Sequence, residues 1–192
     1  TRPFHFVPGQ VVGLTLDPEE APRLYSIASG NREDRIQILF NIVPEGSLTK
    51  KLIKLKAGDI LYSTKPFGSF YGKSRPGYFI ASGTGLAPYL SMIESGLGKN
   101  KVLIHGGRTL KSFYLQDELK KLMGENYIRC CSQEKGDGVF EGRLTKYLRQ
   151  QNELPADHDY YLCGSSEMVS EARDILIDKG VPFNNIIAEI YF

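Results

Sequence analysis

In the stretch "GYFIASGTGLAPYLSMI", Gly83 and Gly85 follow an apolar run and lead straight into a helix-like pattern. At a strand-to-helix turn, glycines let a backbone approach a phosphate with no Cβ in the way, and the free N–H groups of the helix start face the anion. The third glycine of a dinucleotide fingerprint is here Pro88, which suits a first helical turn but departs from the standard turn. On its own this motif fits either a nucleotide site or an ordinary tight turn. "YLCGSSEMV" supplies a second such turn, with Cys163 and Gly164 at a strand's end and Ser165 or Ser166 as the helix cap. "RLYS" carries a cation, a ring and a hydroxyl on one strand, with Arg23 and Tyr25 on one face and Leu24 and Ser26 on the other. "GSFYGKS" imitates a phosphate loop, but Phe67 stands in place of its first glycine and the segment precedes a strand, so it is excluded.

Other chemistries find little support. Cys130, Cys131 and Cys163 are too few for a disulfide framework or a self-contained iron–sulfur cluster, and they fit a reducing cytoplasm. His5, His105 and His158 lie too far apart in sequence for a zinc motif, so no metal site is expected. No acid–base triad is visible. The net charge of +2 argues against nucleic acid, and no apolar run reaches the ~20 residues of a membrane span. Charge is uneven: residues 1–76 hold 11 Lys and Arg against 7 Asp and Glu, and residues 77–192 hold 13 against 15. A basic first half suits an acidic partner.

These residues need elements to place them. "QVVGLTL" (10–16), "RLYSIAS" (23–29) and "RIQILFNIV" (35–43) read as strands; in the third, Ile36, Ile38, Phe40 and Ile42 share a face. A short helix fits 47–55 and a strand 59–64, so the first third predicts a small antiparallel barrel. From Gly77 strand-like and helical segments alternate. Helices are predicted over 87–95, 113–123, 143–150 and 166–179, between the segments "GYFIA", "KVLIHG", "YIRCCS", "DYYLCG" and "NIIAEIYF". That rhythm predicts a five-stranded parallel, doubly wound sheet, with both glycine turns on its ligand-binding edge. "GKSRPG" is the expected link, dividing the chain into 1–74 and 75–192. The chain begins at Thr1 rather than Met, and the strand wanted before "RPFHF" is absent, so the biological start is expected upstream.

The motifs "PFHFVPGQ", "RLYS", "PEGSLTKKL", "LKAGD", "PFGSF", "SGTGLAPYLSMI", "LCGSSEMV" and "AEIYF" occur in an order that resembles the ferredoxin–NADP⁺ reductase family, closest to its bacterial ferredoxin/flavodoxin branch. Each is modest alone; together they span essentially the whole chain and are specific. The resemblance implies an amino-terminal antiparallel β-barrel that binds FAD, lacking its first strand here, and a carboxyl-terminal α/β half that binds NADP, with NAD possible.

By that resemblance Arg23 pairs with the flavin pyrophosphate, Tyr25 stacks on the flavin ring, and Ser26 bonds near the nitrogen that accepts hydride. Gly46, Ser47, Leu48 and Thr49 match a second flavin-phosphate segment. Gly83, Thr84 and Gly85 match the nicotinamide nucleotide's pyrophosphate and ribose site, with Cys163 and Gly164 on the nicotinamide side. Tyr191 matches the aromatic that covers the flavin, Phe192 is an extra terminal ring, and Glu189 matches a family acid able to relay protons. Ser26, Cys163, Glu189 and Tyr191 are thus the expected catalytic set. Ser132 and Gln133 fall where phosphate-preferring members carry serine and arginine, so Gln133 removes one cation for the 2′-phosphate. Arg108 and Arg143 still match positions that contribute charge in the bacterial branch, and NADPH is the expected choice.

The implied activity is electron transfer between NADPH and ferredoxin or flavodoxin. Lys50, Lys51, Lys54, Lys65 and Lys73 are candidate docking cations on charge alone, and a monomer is expected. An NADH-dependent reductase component of an oxygenase and a non-catalytic flavin-binding module are the alternatives.

Overall fold

The computed structural model describes residues 3–191. Its first sheet has three antiparallel strands, β1 (Val11–Thr15), β2 (Arg23–Ser26) and β3 (Tyr62–Ser63), in the order β2-β1-β3. Single bridges at Val11–Phe67 and Ile27–Ile38 extend it. Phe6, Val12, Leu14 and Ile27 form its small core, with Ile36 and Ile38 packed against them. Of the predicted helix 47–55, helix α1 (Leu48–Leu52) forms.

The predicted strand 35–43 does not form. Its apolar face docks as expected, but its ladder donors go to side chains: Ser29 Oγ takes the Gln37 N–H at 3.1 Å and Thr49 Oγ1 takes that of Val43 at 3.0 Å. Pairing with the residues after β2 is thereby confined to the Ile27–Ile38 bridge and the Ala28 N–H, which donates to the Gln37 carbonyl at 2.8 Å.

The second sheet contains strands β4 (Gly77–Ser82), β5 (Lys101–Gly107), β6 (Tyr127–Cys131), β7 (Val139–Glu141), β8 (Asp159–Ser165) and β9 (Ile186–Tyr191). All pairs are parallel, in the order β7-β6-β5-β4-β8-β9. Six strands replace the five expected. The extra one, β7, is a three-residue edge strand between Gly138 and Gly142, too short to show an alternating pattern. The order reverses between β4 and β8, and open α/β sheets bind ligands outside the carboxyl ends of their strands at such a point.

Helices α2 (Ala87–Met92), α3 (Gln116–Met123), α4 (Leu144–Gln150) and α5 (Ser166–Asp178) cover both faces. Alternation along the strands sorts the core. Phe79, Ala81, Leu103 and Tyr161 pack with α2 and α3, whereas Ile80, Ile104, Tyr160 and Leu162 pack with α4 and α5. Ala28 and Phe70 join the first of these clusters, so the antiparallel sheet's segment shares a core with the parallel sheet. No helix among the described residues is long and apolar enough to cross a membrane.

The link before β4 is tied to the sheet's amino-terminal edge. Lys101, almost fully buried, donates from Nζ to the carbonyls of Lys73 and Arg75, the former at 2.7 Å. Tyr161 Oη accepts the Lys73 N–H at 3.1 Å, and Arg75 lies 3.4 Å from the buried Asp159 carboxylate.

A second tie uses two carboxyls. The Gly30 N–H donates to Glu33 Oε1 at 2.8 Å and to Glu94 Oε2 at 2.9 Å, while Asn31 N–H reaches Ser95 Oγ at 2.9 Å. Burial and then the neighbouring Glu33 push Glu94 up from 4.5 to about 7, whereas hydrogen bonding from Glu94 lowers Glu33. Arg35 beside Glu33 and Glu118 near Glu94 complete the charged surroundings.

The folded chain therefore keeps a proton on Glu94 that the unfolded chain releases, and this group's contribution falls as pH climbs from about 4.5 to about 7. Glu33 acts oppositely: its contribution is present above its usual value and is lost on acidification. Glu94→Gln retains a donor toward Glu33 without the titration. Thermal melts from pH 5 to pH 8 should show a smaller loss of stability in the variant than in the parent; parallel profiles would refute the shared proton.

Candidate functional site

The two glycine turns are built against each other. After β4 the chain makes a 3₁₀ turn, Gly83–Leu86, and enters α2 with Pro88 in its first turn. A Cβ on Gly85 would lie 2.3 Å from the Cys163 carbonyl oxygen, so only glycine lets this turn lie on β8. Gly85 thus does the close-packing work that Pro88 leaves undone. Gly164, at φ +150°, would place a Cβ 2.1 Å from Ser82 Oγ, the same atom that accepts the Ser165 N–H at 3.4 Å. Beneath the turn lies buried His105, whose Nδ1 meets Tyr127 Oη at 3.1 Å and whose pKa burial pulls down to about 4. It is neutral at ordinary pH.

Outside these turns a cleft of about 690 Å³ runs along the carboxyl edge of the sheet. Gly83, Thr84, Arg108, Ser132, Gln133, Arg143, Gly164 and Tyr191 line it, while Gly85 is buried beneath. Residues distributed over 109 positions of sequence, from Gly83 to Tyr191, thereby meet in one space. The structure adds wall residues the sequence did not mark. Tyr114 donates to Asn41 Oδ1 at 2.8 Å across the cleft's rim, and Arg143 Nη1 meets Glu167 Oε1 at 2.9 Å. Both are side-chain pairings remote in sequence, with no local signature.

The four residues expected to be catalytic are also brought together. Tyr191 Oη donates to Ser26 Oγ at 2.6 Å, and Ser26 Oγ donates to Glu189 Oε2 at 3.3 Å. The Cys163 thiol points to the same carboxylate oxygen at 4.0 Å. Burial raises the pKa of Glu189, Cys163 and Tyr191, and for Cys163 the nearby Glu189 raises it further. Such a cluster holds protons. Its thiol lacks the activation a nucleophile requires. Because Ser26 has one proton and its bond to Glu189 is long, that proton can turn to another acceptor at small cost.

A second cavity, of about 280 Å³, is lined by Thr15, Glu20, Ala21, Arg23, Ser47 and Leu48. No carboxylate among the described residues pairs with Arg23, while Glu20 faces Lys51 at 3.8 Å. Tyr25 is half-buried and meets Phe40 edge-on at 6.2 Å between centroids. Thr49 is buried as a brace for Val43, and Gly46 closes a turn onto the Val43 carbonyl at 2.9 Å; neither lines this cavity. Phe192 lies outside the described residues. Lys50, Lys51, Lys54, Lys65 and Lys73 are all exposed. Among the described residues no three His, Cys, Asp or Glu side chains are grouped as metal ligands would be.

The cleft thus lies at the reversal point of a parallel sheet, beside an antiparallel sheet whose Ser26 joins Tyr191 and Glu189. Residues 79–174 match the oxidoreductase NAD-binding domain. A ferredoxin–NADP reductase of Pseudomonas aeruginosa is 28% identical, over 97% of this chain and 84% of its own. Ferredoxin–NADP reductase A of Sorangium cellulosum is 32% identical, over 95% and 76%. The toluate 1,2-dioxygenase electron transfer component of Pseudomonas putida is 28% identical over 96% of this chain, which spans 58% of that protein. Among solved structures, a ferredoxin NADP⁺ reductase from Neisseria gonorrhoeae with bound FAD and NADP superposes with a TM-score of 0.84 at 20% identity, covering 98% of this chain and 88% of that one. The chain belongs to the ferredoxin–NADP reductase family.

Gly85→Ala should lower stability by about 1–3 kcal/mol, because the added methyl meets backbone rather than a yielding side chain. Urea unfolding measures it, and an unchanged midpoint would show that the two turns are not interlocked.

Proposed function

We propose that this chain transfers electrons between NADPH and a one-electron carrier, ferredoxin or flavodoxin, by way of FAD. Residues 1–74 would hold the flavin and residues 75–192 the nicotinamide nucleotide. The observation that carries this reading is the position of Tyr191, which lines the nucleotide cleft and is also hydrogen-bonded to Ser26 of the antiparallel sheet. A side chain shared in this way suits a reaction between two bound rings.

The residues present fit both cofactors. Arg23, which no carboxylate among the described residues pairs, offers its guanidinium beside Ser47 and Leu48, a donor set suited to a pyrophosphate. In the cleft, Gly83 leaves open space where a Cβ would stand, and Arg108 has no carboxylate partner among the described residues. These features fit a second diphosphate. FAD, when bound, supplies the ability to take a hydride pair and release electrons singly.

The chain's own contribution is placement and proton control. Tyr25 and Tyr191 supply aromatic faces, and Ser26 supplies a hydroxyl able to turn from Glu189 toward a ring nitrogen. Glu189, its pKa raised by burial, is suited to return a proton to Ser26. Cys163 supplies small, polarizable contact at the end of β8. The exposed lysines of the first half suit an acidic carrier.

A second reading, the reductase component of an oxygenase, is favoured by the likeness to the toluate dioxygenase component, a protein this chain spans only in part. Carrier assays with ferredoxin, flavodoxin and an oxygenase separate the two.

Anaerobic mixing of the chain with FAD and then with NADPH or NADH tests the shared core of both. Bleaching of the flavin band is expected. A stable, unreactive yellow complex would mean a non-catalytic flavin binder, and failure to take up flavin would end the proposal. Ser26→Ala should slow the bleaching about 100-fold, as a displaced reacting geometry does, with flavin still bound; an unchanged rate would remove Ser26 from the chemistry.

A further inference from the structure

The cleft's charges oppose one another. Of the ionisable residues in its wall, Arg108 and Arg143 are cationic and Glu167 and Glu171 are anionic. Arg143 immediately precedes α4, and Glu167 sits in the first turn of α5, so the two helix starts bring their charges together at 2.9 Å in the cleft wall. Glu171, one turn further along α5, is directed instead to Arg149 at 3.1 Å, and Arg149 does not line the cleft. Gln133 adds no charge, and Glu134 is tied to the Leu110 N–H at 2.7 Å.

We infer that Glu167, by holding Arg143, is a determinant of this chain's choice between NADPH and NADH. The inference rests on the nucleotide reading of the cleft and names the residue that tunes it. A phosphate on the adenosine ribose would need the guanidinium of Arg143, since a planar fork pairs with carboxylate or phosphate in the same way. Glu167 competes for that fork and, once displaced, remains nearby as a like charge. A ribose carrying only a hydroxyl needs neither Arg143 nor the displacement. Glu167 therefore weakens the phosphorylated nucleotide selectively. Both side chains are largely exposed, 67% and 75%, so water screens the pair and the effect is a moderate one.

Calorimetric titration of the full chain with adenosine 2′,5′-bisphosphate and with adenosine 5′-monophosphate isolates the extra phosphate without requiring turnover. Glu167→Gln should tighten the bisphosphate about three- to tenfold while changing the monophosphate less than about twofold, the size expected for removing one near charge in water. Arg143→Gln should weaken the bisphosphate more in the Glu167→Gln background than in the parent, because only there is the guanidinium released. Glu171→Gln, which removes an equal charge from the same helix, should give a smaller gain.

If neither nucleotide binds the parent chain, the cleft is not a nucleotide site and the inference falls with that reading. If both bind but Glu167→Gln shifts them equally or not at all, or Glu171→Gln matches its gain, the cleft reading stands and the role of Glu167 is refuted.

Discussion

Ser26 joins the two sheets, because its hydroxyl takes one hydrogen bond from, and gives another to, the same parallel strand. It ends β2 in one sheet and touches two residues of β9 in the other, taking a short bond from Tyr191 and giving a long one to Glu189. β9 is the outermost parallel strand, and its Glu189 and Tyr191 lie level with Cys163 and Ser165 at the carboxyl end of β8. Burial then sets the protonation: Glu189 and Cys163 both have raised pKa values, and the cluster stores protons instead of exposing charge. Moving Ser26 would leave the cleft intact and deprive it of its neighbour.

The same constraint explains the glycines. Two turns lying within van der Waals reach of each other cannot both carry side chains, and Gly85 and Gly164 remove the two that would collide. The cleft is thus walled by backbone at its floor and by side chains at its rim. That division suits a ligand held first by its phosphates and distinguished by its other groups.

Much of this was legible from the chain. The parallel strands and α5 were legible because period and caps agree: the apolar face Met168, Val169, Ala172, Ile175 and Leu176 is the one buried, and Ser165 caps the helix through the Met168 N–H. The strand expected at 35–43 failed because alternation reports which face is buried and says nothing about where the amides bond; Ser29 and Thr49 intercept them. The edge strand β7 was too short to show any period. Arg23, Ser26, Thr84, Cys163, Glu189 and Tyr191 were singled out through motifs matched to the family, and they lie at the two cavities or in the cluster between the sheets. Asn41, Tyr114 and Glu167 were not, because each acquires its place through a partner remote in sequence. Thr49 was read as a ligand-facing hydroxyl; its oxygen also takes the Val43 N–H, a contact without a local signature.

The buried ammonium of Lys101 has a mechanical consequence. It fastens the link at the sheet's amino-terminal edge, where Tyr161, Arg75 with Asp159, and the contacts of Gly30 and Asn31 with Glu94 and Ser95, just beyond α2, also lie. At the opposite edge, hydroxyl bonds of Tyr114 and Tyr191 join the two sheets' segments. Like a book stitched along its spine, the molecule carries more of the bonds between its two halves at that first edge than at the fore-edge beside Tyr191.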